Sequence, residues 1–141
     1  MTDAVLAVQK ALRKRLVTDS GVIALVPAAS ILDRNARPAP DPSIILGEDQ
    51  VVGTDILIDR SVVRVHSTLH IWKTEEGLTG VKAIAGAIWK AMKGRRPILE
   101  GFTCCDLRLS DARFMRDPEG AMGHGVVFME TLVRELREGE F

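Results

Sequence analysis

The sequence has 141 residues, of which 46% are hydrophobic and 27% charged, and its 19 lysines and arginines balance its 19 aspartates and glutamates. This composition is typical of one globular domain spanning residues 1–141, and it excludes collagen-like, low-complexity and disulfide-dense chains. A net charge of zero argues against a protein whose main task is to grip nucleic-acid phosphates, because that binding depends on clustered Lys and Arg. The sequence contains neither a secretion signal nor an apolar stretch of about 18 residues, so we expect no contact with a membrane.

The first predicted element is an amphipathic helix over residues 4–17. Its apolar side chains recur at three- and four-residue spacing, at Val5, Val8, Leu12 and Leu16. Either Thr2 or Asp3 can accept hydrogen bonds from the free N–H groups at its start.

A short helical turn is predicted at residues 21–25, before a loop rich in proline. Pro38, Pro40 and Pro42 stand at every second position of this loop, so we expect a stiff, extended segment. It leads into a predicted strand at residues 43–46.

Two further strands are predicted at residues 56–59 and 61–72, where β-branched residues are frequent, after a loop or irregular edge at 49–55. Alternation in the longer strand places two sets of side chains on opposite faces. The apolar face carries Val63, Val65, Ser67, Leu69 and Ile71. The other face is expected to be exposed to solvent or to contact a partner. It carries Arg64, His66, Thr68, His70 and Trp72.

A second long helix is predicted from Thr74 to Gly94, because the apolar period changes from two to about 3.6. We interpret the basic cluster at its end, residues 90–96, as a solvated complement to the helix dipole. Trp72 and Trp89 are predicted to be packing anchors.

A strand over residues 102–110 is predicted to place Cys105, Leu107 and Leu109 on one side. The adjacent Cys104 should then point to the opposite face, and both cysteines are interpreted as reduced, packed thiols. A turn at 117–120 leads to a last strand at 126–135, antiparallel to the previous one.

These elements predict an α+β fold. A single antiparallel or mixed β-sheet of about five strands carries two main helices packed on one side.

Few residues favour catalysis or metal binding. His66 and His70 are four residues apart, but on a strand this spacing of about 13 Å is too long for one ion, so no metal or other cofactor is expected. No phosphate-binding, nucleophile-elbow or zinc motif is present. One alternative is a small hydrolase or ligand-binding enzyme that uses His124 with Asp117 or Glu119. Another is an adaptor that binds a partner peptide at an open sheet edge.

The order of several segments resembles a known family. The proline-spaced loop runs into Pro-Ser-Ile-Ile-Leu-Gly at 42–47, and the strand at 65–72 reads Val-His-Ser-Thr-Leu-His-Ile-Trp. Arg-Asp-Pro-Glu-Gly at 116–120 is followed by His-Gly-Val-Val-Phe at 124–128. Together these segments resemble the tail-completion or tail-terminator proteins of long-tailed phages, whose relatives include head-to-tail joining proteins of prophages and gene transfer agents. Relatives often carry an aromatic residue after the proline, where this chain has Ser43.

The resemblance implies a structural role and no enzymatic activity. Six copies would close into a ring that caps the tail tube, ends its polymerisation and joins the tail to the head connector, while DNA passes through without tight binding. The protein would assemble in the bacterial cytoplasm and then stay in the virion neck. Candidate interface residues are Pro38, Pro40, Pro42, Arg64, His66, His70, Trp72, Asp117 and His124.

Overall fold

A computed structural model of the chain describes residues 3–33, 40–57, 60–118 and 121–136. Three α-helices, one 3-10 turn and five strands are placed within these ranges. In chain order they are α1 (Ala4–Thr18), α2 (Ser20–Ile23), the 3-10 turn (Ala28–Ser30), β1 (Ile31–Leu32), β2 (Ser43–Gly53), β3 (Val62–Thr74), α3 (Thr79–Met92), β4 (Phe102–Arg116) and β5 (Met122–Glu135).

The strands form one mixed sheet in the order β1-β2-β3-β5-β4. β1 is parallel to β2, and every other neighbouring pair is antiparallel, including the predicted pairing of β4 with β5. The α+β class, the five strands and the two main helices are therefore confirmed. Among the described residues, no helix is long and apolar enough to span a membrane.

Helices α1 and α3 pack on the same face of the sheet. The apolar stripe of α1 is buried at the predicted spacing, with Val8, Leu12 and Leu16 at most 1% exposed. This stripe shares one core with the stripe of α3 and with β3 side chains such as Leu69. Each such side chain contributes roughly 1.5–3 kcal/mol when fully buried. Of the two predicted caps, Asp3 accepts a hydrogen bond from the Val5 N–H, and Thr2 lies outside the described residues.

Strand β3 has the two faces predicted for it. Val65, Ser67, Leu69 and Ile71 are buried under the helices, and the residues between them are half-buried on the opposite side. The buried residues of the helices share one core with Val65, Leu69 and Ile71, so among the described residues the helices cover only that face. We call the opposite face the uncovered face of the sheet.

Several predicted boundaries are wrong. Residues 51–53 continue β2 past an irregularity between Leu46 and Asp49, whereas a loop or irregular edge was expected there. Ile56 and Leu57 lie in a bend, so the strand predicted at 56–59 is wrong where the structure describes it. The short β1 was not predicted, because two residues give no readable alternation.

Helix α3 begins at Thr79 and not at Thr74. Residues 76–78 form a bend, and both carboxylate oxygens of Glu75 accept a hydrogen bond from the Gly80 N–H. One of them also accepts from the Val81 N–H. The helix therefore starts where a side chain satisfies its free donors, and not where the apolar period begins.

Strand β4 departs from simple alternation at two bulges. The register shifts between Cys104 and Asp106 and again between Leu109 and Asp111. As a result Cys104 is buried in the core, against which the partly buried Leu107 and Leu109 pack. The prediction that Cys105 shares their side is wrong, because Cys105 is only half-buried. A bulge inserts one unpaired residue, and this inverts the faces of the residues that precede it.

The two tryptophans differ in their surroundings. Trp89 is 47% exposed on α3, and the Lys93 ammonium lies 3.4 Å from its ring centroid. Trp89 lines a cavity with Leu107 and Leu109 of β4, so it lies at the margin of the contact between helix and sheet and is not the packing anchor that was predicted.

Candidate assembly surface

The uncovered face of the sheet gathers most of the predicted interface residues. Arg64, His66, His70 and Trp72 alternate along β3, and His124 lies opposite Trp72 on β5. Because strands are about 4.8 Å apart, the last three side chains can touch across the two strands.

His70, Trp72 and His124 form a connected group, called here the histidine–tryptophan cluster. The rings of Trp72 and His124 are stacked, with centroids 3.8 Å apart and planes 6° from parallel. His70 Nδ1 lies 3.0 Å from His124 Nε2, so one imidazole donates to the other. The cluster is thus an aromatic surface whose two imidazoles are joined by a hydrogen bond.

Glu48 and Gly47 complete the surroundings of His70. The Glu48 carboxylate lies 3.4 Å from His70 Nε2, which leaves Nδ1 of the same ring to face His124. Gly47 has no side chain, and a Cβ placed there would meet His70 Cδ2 at 2.6 Å. The imidazole of His70 therefore occupies the space that any other residue at position 47 would fill.

A cavity of about 500 Å³ opens beside the cluster. It is lined by Asp33, Ile45, Leu46, Gly47, Glu48, His70, Trp72 and His124. The Glu48 side chain is 79% exposed, so the rim of this cavity is acidic and its wall is aromatic.

Burial lowers the pKa of His124, and the neighbouring His70 lowers it further, while Asp117 acts in the opposite sense. Desolvation disfavours the imidazolium form of a histidine. The neutral form of His124 is therefore favoured, and a neutral imidazole can accept or donate in the contact with His70.

A second polar row crosses the same face at His66, four residues before His70 on β3. Glu130 lies between His66, whose Nδ1 is 3.5 Å from its carboxylate, and Arg108, whose Nε donates to it over 2.8 Å. Arg108 and Glu130 are direct cross-strand neighbours on β4 and β5. This partnership ties His66 to the sheet, and it is separate from the histidine–tryptophan cluster.

The remaining predicted residues lie at the ends of the sheet. Arg64 is opposite Leu132, far along β3 from the cluster, and Asp117 begins the turn after β4. Pro40 and Pro42 flank Asp41, whose carboxylate accepts a hydrogen bond from the Thr74 N–H. The proline segment is thus attached to the end of β3 next to Trp72. Pro38 and Glu119 lie outside the described residues.

Sequence reasoning missed Gly47, Glu48 and Glu130, which fix the histidines. These contacts join neighbouring strands and leave no pattern along the sequence. Glu48 is 22 residues from His70, and Glu130 is 64 residues from His66. Among the described residues, no three His, Cys, Asp or Glu side chains converge as metal ligands.

Comparison with known proteins identifies the family. The model of the family "Tail completion protein gp17" matches residues 10–134. A search of curated proteins found no match.

Two solved structures share the fold. One is a chain of the virion of a native gene transfer agent (GTA) particle, with 21% identity, a TM-score of 0.79, and coverage of 94% of this chain and 99% of that chain. The other is the gp17 protein of bacteriophage SPP1, with 16% identity, a TM-score of 0.60, and coverage of 98% of this chain and 94% of that chain. The family model covers the sheet except for the last residue of β5, and most of α1. Its members are structural proteins, so the hydrolase alternative does not stand. The chain belongs to the tail completion protein gp17 family and is a structural protein of tail completion, not an enzyme.

Proposed function

We propose that six copies of this protein close into a ring at the top of the tail of a phage or gene-transfer-agent particle. The ring caps the tail tube, stops further addition of tube protein and joins the tail to the head connector. It assembles in the bacterial cytoplasm, remains in the virion neck, and lets DNA pass without tight binding. Membership of the tail completion family and the likeness in fold to a chain of a gene transfer agent virion support this proposal.

The observation that carries the proposal is the uncovered face of the sheet. A lone α+β domain of this size can leave one face to water, but here that face holds stacked, interlocked rings beside a cavity. Interfaces are enriched in aromatic residues that are held rigid before binding, because little side-chain entropy is then lost. The histidine–tryptophan cluster has this character, and it forms one side of the contact between copies.

A ring of identical subunits needs two different surfaces on each copy, since its contacts are heterologous. The proline segment, fastened to β3 through Asp41 and Thr74, extends the surface around the cluster. The second surface is the subject of the inference below.

The test is the mass of the purified protein by light scattering at several concentrations, alone and mixed with its tail-tube protein. A discrete species near six times 15.4 kDa, free or at tube ends, is expected. The Trp72→Ala variant should fail to form it, because the aromatic wall of the cavity is removed. Trp89→Ala is the matched control, since Trp89 is a half-exposed tryptophan on α3. A persistent monomer in both conditions would disprove the ring.

A second candidate, the peptide-binding adaptor, is favoured by one observation. β4 is an edge strand of 15 residues that pairs only with β5 among the described residues. Such an edge can accept a further strand from a partner. This function predicts a one-to-one complex with a partner peptide, so the same mass measurement separates it from the ring.

A further inference from the structure

The zero net charge of the chain conceals a strong separation of charge. Residues 4–18, which form α1, and residues 79–99, which form α3 and the segment after it, contain nine Lys and Arg and no Asp or Glu. The rest of the chain contains ten Lys and Arg and 19 Asp and Glu. The helical layer is therefore strongly basic, and the sheet with its loops is acidic by the same amount.

The basic charge converges on a groove between α1 and the segment after α3. The groove has a volume of about 240 Å³ and is lined by Ala11, Lys14, Arg15, Thr18, Arg95, Arg96, Pro97 and Ile98. The Arg15 guanidinium donates to the Arg95 carbonyl, which fastens the segment to the helix. We call this surface the basic groove.

The four cations of the basic groove have no anionic partner within the described residues. The ion pairs among the described residues involve His66, His70, Arg108 and Arg113. None of them includes Lys14, Arg15, Arg95 or Arg96. Like charges gathered on a surface repel one another, and an acidic partner relieves that repulsion.

Ile98 distinguishes between the possible partners. It is 95% exposed among these cations, whereas most other isoleucines of the chain are buried. An apolar centre within a charged rim is typical of a protein contact, in which the centre is desolvated. The phosphates of DNA offer no apolar group to cover Ile98, so the groove fits an acidic protein surface.

A second copy of this chain has such a surface. Asp33 and Glu48 line the cavity beside the histidine–tryptophan cluster, and this cavity shares no lining residue with the basic groove. One copy therefore carries both halves of a complementary contact on two separate surfaces, as a ring requires.

We propose that the basic groove of each copy binds the acidic rim of the cavity of the next copy, with Ile98 covered at the centre of the contact. This inference rests on the proposed ring and names the two surfaces that form it. Arg95 and Arg96 of one copy face Asp33 and Glu48 of its neighbour.

The test exchanges the charges. In the groove variant, Arg95→Glu and Arg96→Glu make the groove acidic; in the rim variant, Asp33→Lys and Glu48→Lys make the rim basic. Each variant alone sets like charges against each other, and we expect its assembly to weaken at least about tenfold or to be lost. An equimolar mixture pairs each acidic groove with a basic rim and each basic groove with an acidic rim, so an alternating hexamer should form.

Lys82→Glu with Lys90→Glu is the matched control. It makes the same change of charge on the same helical layer outside the groove, and it should assemble like the unchanged protein. All four altered side chains in the groove and rim variants are exposed. The groove variant should therefore keep the melting curve of the unchanged protein by circular dichroism. The rim variant, which loses the contact of Glu48 with His70, should melt at a lower temperature but remain folded in the assembly experiment.

Four results would overturn the inference. The proposed contact is wrong if the groove variant assembles as the unchanged protein does, or if the mixture fails to assemble. In either case, a hexamer of the unchanged protein would still support the ring. The groove is a nucleic-acid site if the unchanged protein binds labelled duplex DNA by fluorescence anisotropy, the groove variant does not bind it, and the groove variant still assembles. If the unchanged protein is monomeric both alone and with the tube protein, the proposed ring and the proposed contact are both wrong.

Discussion

At the scale of single residues, Gly47 controls the position of the His70 ring. We expect Gly47→Ala to destabilise the fold by about 1–3 kcal/mol, because the new methyl group would overlap His70 Cδ2 and Nε2. The displaced ring would also lose its bond to His124. Urea unfolding measures the first effect, and the imidazole NMR signals report the second.

Gly86→Ala is the control for this change. A Cβ at Gly86 meets nothing within 4 Å, and the residue lies inside α3. Alanine there should stabilise the protein by about 0.5–1 kcal/mol, since glycine costs more backbone entropy in a helix. Equal effects at both positions would contradict the account of Gly47.

His124 should make stability depend on pH. Because burial and His70 lower its folded pKa, the unfolded chain takes up this proton at a higher pH than the folded chain does. Stability is therefore lost as pH falls below about 6.5, by at most about 1.4 kcal/mol per pH unit for one proton. Asp117 reduces the effect, because its charge raises the pKa of His124.

Urea unfolding at about pH 7.5 and about pH 5.5, above the usual carboxylate range, measures this loss. His124→Gln should lose less stability on acidification than the unchanged protein. An equal loss in the variant would assign the titration to another group.

At the scale of elements, Glu75 determines where α3 begins. Replacing it by Ala removes the acceptor for the Gly80 and Val81 N–H groups and should cost about 0.5–2 kcal/mol. Glu75→Gln keeps an acceptor oxygen and should recover part of the loss. Glu76→Ala, at the exposed neighbouring position, should have little effect in the same thermal unfolding experiment.

Strand β5 carries a buried hydroxyl that works against stability. Thr131 is 1% exposed between Val65 and Leu107, and its Oγ1 has no hydrogen-bond partner among the described residues. Thr131→Val should therefore stabilise the protein by about 1 kcal/mol, since an unsatisfied buried hydroxyl is costly. Thr131→Ser, which keeps the hydroxyl and loses a methyl group, should destabilise it. A less stable valine variant in chemical denaturation would contradict this.

At the scale of the whole molecule, the separated charges should dominate behaviour at low salt. Although the sequence pI is about 6.8, we expect the protein to be retained on a cation exchanger at pH 7, because the helical layer presents its lysines and arginines on one side. Retention should be lost between about 0.1 and 1 M salt as screening shortens from about 10 to 3 Å. The groove variant should elute earlier than the Lys82→Glu and Lys90→Glu control. Elution of all three in the void volume would contradict the charge separation.

The sequence by itself determined the α+β class, the stripe of α1, the two faces of β3 and the family, because these depend on local periodicity and on residue order along one segment. Val8, Leu12 and Leu16 recur within α1, so their burial could be read from spacing alone. The same alternation correctly placed His70 and Trp72 on the uncovered face.

Only the tertiary structure decided what surrounds those residues. The contact of His70 with His124 spans 54 residues, and the groove joins Arg15 to Arg95 across 80. The face on which Cys104 lies depends on a bulge, which simple alternation cannot foresee. The net charge of zero likewise gave no indication of the basic groove. Net charge is a sum over the whole chain, whereas binding depends on which charges the fold brings together.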